Sequence, residues 1–207
     1  MGRFQLFRDA VTAGMSVGLG GLVFLSVENR VLGAFLFTIG LFTICTMRLN
    51  LFTGKVCYSL ERDTAYRLQL LWIWLGNLLG TVLIALLAQT TRLAPQLCER
   101  ASSLCSIKQG DSFVSLFVLG VLCNICIYIG VEGFRSIQDG FGKYLALVFG
   151  VMVFILCGTE HCVADMFYFT MAGAWSADTA LRLLVITAGN AAGGLLFPLL
   201  RGTQRKD

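Results

Sequence analysis

His161 is the one histidine of the chain, and it lies in the segment Thr159-Glu160-His161-Cys162-Val163-Ala164-Asp165. An imidazole has an unperturbed pKa of about 6.5, the side-chain value nearest neutrality, so it can offer an anion either a hydrogen bond or a proton. The alternative is a buried neutral histidine bonded to backbone. A second polar segment, Leu49-Asn50-Leu51-Phe52-Thr53, ends on a hydroxyl that could turn its dipole toward His161 or a solute, or else cap the helix that follows. Both segments interrupt long apolar runs. Backbone leaves the helix at membrane depth only where protein or a watery cavity satisfies its polar groups, so two such breaks point to a solute path.

The elements that must hold these segments are membrane helices. Hydrophobic residues make up 57% of the chain, charged residues 14%, and the mean hydropathy is +0.77, which excludes an ordinary soluble domain. Stretches free of charge cover Ala10–Val27, Val31–Met47, Leu68–Thr91, Ser112–Val131, Tyr144–Thr159 and Leu183–Leu200. Most approach the ~20 residues that cross a bilayer as helix, so six spans are expected in one transport domain over residues 1–207. The run after Arg3 and Arg8 is long for a signal-peptide core and is expected to stay as the first span.

Orientation follows from the basic residues. One side of a six-span arrangement carries Arg3, Arg8, Lys55, Arg62, Arg67, Arg135, Lys143, Arg201, Arg205 and Lys206; the other carries Arg30, Arg92, Arg100, Lys108 and Arg182. The imbalance puts both termini in the cytoplasm of a multi-pass protein of the cell membrane. It also accounts for the net charge of +4 without nucleic acid, since no dense basic patch forms. Cys123-Asn124-Ile125-Cys126 has zinc-like spacing but lies in an apolar span with no second ligand pair, so packing is the better reading and no metal or cofactor is expected. Cys98 and Cys105 share the loop before the fourth span, where a disulfide is a candidate.

The halves repeat. Gly76-Asn77-Leu78-Leu79-Gly80 recurs as Gly189-Asn190-Ala191-Ala192-Gly193, 113 residues later, and the same offset carries Leu51-Phe52-Thr53 onto Ala164-Asp165-Met166. Three spans per half, over about 10–91 and 111–200, require opposite orientations, hence an inverted repeat whose two broken helices meet near the midplane. The glycines suit close helix packing. Asn77 and Asn190 either brace the broken segments or line the path.

Together these residues resemble the formate/nitrite transporters: Leu51-Phe52-Thr53 in helix two, Glu160-His161 in helix five, and Gly76-Asn77 and Gly189-Asn190 in helices three and six. Further matches are Phe37-Thr38-Ile39-Gly40-Leu41, Gly120-Val121-Leu122-Cys123-Asn124, and Lys108 sixteen residues before Asn124. The resemblance spans roughly Ala10 to Leu200. It implies an all-α, aquaporin-like fold of six transmembrane helices as a 3+3 inverted repeat, with helices two and five broken, assembled as a homopentamer. Each protomer would pass small monovalent weak-acid anions such as formate, nitrite or hydrosulfide, by channel-like conduction or with a proton. The path residues would be His161, Thr53, Asn124, Asn190, Glu160 and Asn77, with apolar constrictions at Phe37, Leu41, Leu51, Phe52 and Phe154. Lys108 would draw anions to the outer mouth, or else is a solvated loop lysine.

Two departures from that pattern stand out. The residue before Leu51 is Asn50 where an acid is usual, and Asp165 stands where an amide is usual; their exchange suggests that the two side chains, or their immediate neighbours, meet. Arg48 is a fixed cation within the second span, paired with Asp165 or Glu160, reaching the cytoplasmic face, or standing in the vestibule. A channel for uncharged solutes shares this architecture and is the nearest rival function. An intramembrane enzyme is disfavoured, because no nucleophile accompanies His161.

Overall fold

The computed structural model describes residues 2–201, and these form ten α-helices and no strand. They are α1 (Arg3–Ser26), α2 (Arg30–Phe37), α3 (Ile39–Thr46), α4 (Phe52–Val56), α5 (Thr64–Gln89), α6 (Ala94–Gly110), α7 (Phe113–Ser136), α8 (Gly140–Leu156), α9 (Cys162–Met171) and α10 (Ala177–Arg201). By length and composition α1, α5, α7 and α10 can each cross a membrane. Side-chain caps set several helix starts: Asn29 accepts from the Val31 and Leu32 amides, Asp63 from Tyr66, and Ser112 from Ser115. Arg205 and Lys206 of the charge count lie outside the described residues.

Helix α1 packs along α5, and α7 packs along α10. Glycines permit the approach: a Cβ on Gly80 would fall on the Val11 carbonyl, and one on Gly193 would fall on the Val121 carbonyl. The shorter pieces lie between these pairs, with α9 against α5 and α2 against α8.

Two of the interruptions between helices correspond to the expected breaks, over Met47–Leu51 and over Cys157–His161. Each break contains a left-handed residue, Arg48 at φ 57° and Gly158 at φ 69°. Both breaks fall a few residues earlier than the sequence suggested. Phe52 and Thr53, and likewise Cys162 to Asp165, belong to the first turns of α4 and α9, because an asparagine side chain receives the first amide of each half-helix.

The segment read as a loop before the fourth span is instead α6. Its buried residues Leu97, Ala101, Cys105 and Lys108 recur at helical spacing, with Pro95 in the first turn. The candidate disulfide fails for the same reason. Cys98 and Cys105 are free thiols seven residues apart on one helix, about 10 Å of axial rise, which exceeds the ~7 Å limit between bridged Cα atoms.

Candidate functional site

Two asparagines hold the breaks. Asn77 Nδ2 donates to the Ala10 and Asn50 carbonyls at 2.8 and 2.9 Å, while its Oδ1 accepts from the Phe52 amide at 2.8 Å. Asn190 Nδ2 donates to the Gly120 and Glu160 carbonyls at 2.8 Å each, and its Oδ1 accepts from the Cys162 amide at 2.9 Å. An amide at such depth would be costly unpaired; here each satisfies backbone groups that the breaks leave without helical partners. The partners Ala10/Gly120, Asn50/Glu160 and Phe52/Cys162 stand 110 residues apart, not 113. This corrects the register read from sequence: Leu51 corresponds to His161 and Phe52 to Cys162. The three extra residues fall between Cys162 and Asn190, where α9 runs ten residues against five in α4.

These clamps bring the half-helices α4 and α9 together at Thr53 and His161. His161 Nδ1 accepts from the Ala164 amide at 3.1 Å, so the imidazole proton is carried by Nε2. Nε2 lies 3.0 Å from Thr53 Oγ1 and donates to it. Both side chains are buried. The Phe154 ring stacks on the imidazole, with centroids 5.6 Å apart and planes at 21°, and Phe37 meets Phe154 edge-on at 6.1 Å. Asn124 Nδ2 donates to the Thr53 and Asn190 carbonyls at 3.1 and 2.7 Å, tying α4 to the helix that carries the second clamp.

A cavity of about 390 Å³ opens on one side of this pair, lined by Phe37, Phe154, His161, Lys108, Glu160 and Asp165 among others. A second, of about 550 Å³, lies on the side of Leu41, Leu51 and Arg48. Thr53, Asn77, Asn124 and Asn190 line neither cavity, and the bonds of the asparagines go to the walls. Phe52 also lines neither, while its amide anchors α4 to Asn77.

Lys108 is buried and not a solvated loop residue. Its ammonium bonds Glu160 and lies 2.9 Å from Asp165 Oδ1. Burial by itself would lower the Lys108 pKa, but the Asp165 and Glu160 charges outweigh it and raise the value above that of an ordinary lysine. Burial pushes the Cys105 thiol on the same helix up to about 12, so it adds no charge to the cluster. Two carboxylates thus share one cation, and Asp165 Oδ2 has no hydrogen-bond partner among the described residues.

Two pairings considered from the sequence are not formed. Asn50 and Asp165 share no hydrogen bond: Asn50 Nδ2 donates to the Leu6 carbonyl at 3.3 Å, whereas Asp165 turns to Lys108. Arg48 forms no ion pair with Glu160 or Asp165, both of which bond Lys108; it is exposed and lines the second cavity, so the cytoplasmic-face and vestibule readings stand.

Sequence reasoning passed over Ala164 and Tyr168, which line the first cavity with His161 and Asp165. Their spacing, i, i+3, i+4 and i+7 from the histidine, is one helical face and was available as a signal. Arg30 was counted only for orientation, yet it borders the same cavity and donates to the Ile155 carbonyl at 3.1 Å.

A family model described as formate/nitrite transporter matches residues 1–201. The nitrite transporter NirC of Salmonella typhimurium is 32% identical over 197 residues, which cover 86% of this chain and 72% of NirC. A probable formate transporter of Methanothermobacter thermautotrophicus is 28% identical, over 93% of this chain and 79% of its own. Among solved structures, an FNT family ion channel superposes with a TM-score of 0.83 at 26% identity, over 94% of this chain and 87% of that one. A pentameric formate channel with formate bound gives 0.81 at 22% identity, over 96% and 95%, a likeness of fold. These relatives are transporters and channels rather than enzymes. A match along all the described helices, through both breaks and both clamps, means that the chain belongs to the formate/nitrite transporter family.

Proposed function

We propose that this chain passes small monovalent weak-acid anions of the formate, nitrite or hydrosulfide type across a bilayer, along a path within each protomer between the two cavities. The observation that carries the reading is the bond between His161 and Thr53 where the two half-helices meet, with one cavity reaching His161 and the other reaching Leu51 and Gly54 beside Thr53.

The chemistry follows from the tautomer. A bare anion pays several kcal/mol or more to shed its water in an apolar neck. Phe37 and Phe154 on one side, and Leu41 and Leu51 on the other, would exclude hydrated ions. At the neck an anion would take the place of Thr53 as acceptor of the His161 Nε2 proton. With Nδ1 held by the Ala164 amide, His161 acts as a hydrogen-bond donor; a proton that accompanies the solute comes from solution. The first-turn amides of α9 add positive potential at the same point.

The same reading takes α1 to α5 and α7 to α10 as two inverted repeats, making six spans in all, with α2 to α4 and α8 to α9 as the broken second and fifth. Support comes from Trp74 Nε1, which donates to Thr187 Oγ1 at 3.2 Å. These two positions correspond at the 113-residue offset, and a residue meets its own counterpart only on a two-fold axis. Both termini and the Arg48 cavity would face the cytoplasm at the plasma membrane, and the protomers would assemble as a homopentamer like the structural relative.

The test is uptake by proteoliposomes of formate, nitrite, hydrosulfide, acetate, lactate and glycerol at two pH values. Expected is weak-acid uptake that rises as external pH falls and is lost in His161→Ala and reduced in Thr53→Val. Equal uptake of glycerol, or full formate flux in His161→Ala, would refute the proposal.

A further inference from the structure

The two cavities differ in charge. On the His161 side the Lys108 cation is answered by two carboxylates. The larger cavity is lined by four cations, Arg48, Lys55, Arg62 and Arg135. Among the described residues Arg135 alone of the four has a carboxylate within 4 Å, Glu132 at 3.7 Å, and Glu132 also accepts from the Tyr58 hydroxyl at 2.7 Å. Aromatic rings hold two of the cations in place: Arg135 lies over Tyr58 at 4.5 Å and Arg62 over Tyr66 at 5.9 Å.

Arg48 adds an independent observation. It occupies a left-handed backbone position at φ 57°, and the corresponding residue of the second break, 110 positions on, is Gly158 at φ 69°. Glycine takes that conformation without cost, and arginine does not. The chain therefore bears strain at a point where the repeat shows that a glycine fits, and what it gains is a guanidinium lining the cavity. Such stored strain is a signature of function.

From this charge and strain we infer that the Arg48 cavity is a binding site for polyvalent oxyanions, of the pyrophosphate or phosphate-ester class, which enter it but cannot pass the neck. The volume of about 550 Å³ is far larger than a one-carbon anion needs and admits an oxyanion with part of its water. Charge separates the two fates. The cost of stripping an ion rises with the square of its charge, so a dianion pays about fourfold what formate pays at the Leu41 and Leu51 neck. In the wide cavity it keeps its water and gains several cations at once. Bound there, it stands in the way of the conducted anion; this block, though not the binding itself, rests on the conduction reading above.

The test uses the purified protein in detergent free of anionic lipid, titrated with sodium pyrophosphate and with formate at equal ionic strength. Pyrophosphate is expected to bind and formate to bind far more weakly. Arg48→Gly is expected to weaken pyrophosphate binding about tenfold, the size of one charged hydrogen bond, while unfolding at a higher temperature than the parent. Arg48→Lys should retain most of the affinity. In vesicles, pyrophosphate on both faces should slow formate uptake by the parent and leave uptake by Arg48→Gly unslowed. Equal pyrophosphate affinity in parent and Arg48→Gly, or no pyrophosphate binding to a parent that conducts formate, overturns the inference. A parent that binds pyrophosphate through Arg48 but conducts no weak acid supports the site and sinks the conduction reading instead.

Discussion

Replacing Lys108 by methionine removes one cation from between two buried carboxylates. The ammonium bonds Glu160 and lies 2.9 Å from Asp165, and the side chains of all three residues are at most 10% exposed. Methionine fills most of the volume but leaves both acids unpaired. Breaking a buried ion pair from one side costs about 3 to 5 kcal/mol, because the surviving charge has lost its partner without regaining water. For a domain of this size that is a fall in Tm of about 6 to 20 °C, at about 2 to 4 °C per kcal/mol. Asp165→Asn should cost much less, within about 1 kcal/mol, since it removes the surplus acid and leaves Lys108 with Glu160. The double variant Lys108→Met with Asp165→Asn should then recover about 1 to 3 kcal/mol of the Lys108→Met loss as a coupling term. Thermal unfolding of the four proteins, purified in one detergent, reads this cycle. A Lys108→Met shift below about 3 °C, or no recovery in the double variant, would refute the shared-cation account.

Asn190→Ala strands the Cys162 amide and the Glu160 and Gly120 carbonyls, and should destabilise by at least about 3 kcal/mol in the same assay. Gly80→Ala pushes a methyl group into the Val11 carbonyl and should cost about 1 to 3 kcal/mol, whereas Gly110→Ala, with nothing within 4 Å of the added carbon, should be silent. Because the Lys108 pKa is raised on folding, its contribution is complete below the ordinary value of 10.5 and fades only as pH climbs past the folded one. The Lys108→Met penalty should therefore be the same at about pH 7 and about pH 9; a smaller penalty at the higher value, in paired melts, would count against the direction of that shift.

Much of the fold was legible because membrane depth restricts backbone to a few solutions. Interrupted apolar runs and paired Gly-Asn motifs located both breaks to within a few residues, and Thr53 and His161 were singled out from their positions. Register was less legible: the Gly-Asn pairs fix one offset, whereas the breaks and first helices follow another, and no residue type marks the three-residue difference. The role of Lys108 was hidden by treating residues 92–111 as loop, although the Leu97, Ala101, Cys105 and Lys108 stripe carried the helical signal. The apparent exchange of acid and amide between Asn50 and Asp165 misled because it assumed contact; each side chain answers to a different helix. Side chains that pair with other side chains are set by packing, which one sequence does not print.

The two asparagine clamps have a consequence for how such a passage works. Each amide spends its donor and acceptor atoms on main-chain atoms of two other segments, so neither break retains a loose hinge about which it could swing. If solute passes between them as proposed, an orifice tied in this way would be a fixed sieve. On the conduction reading, throughput would depend on what a solute sheds and regains at the waist, and control of traffic would fall to occupants of the mouths.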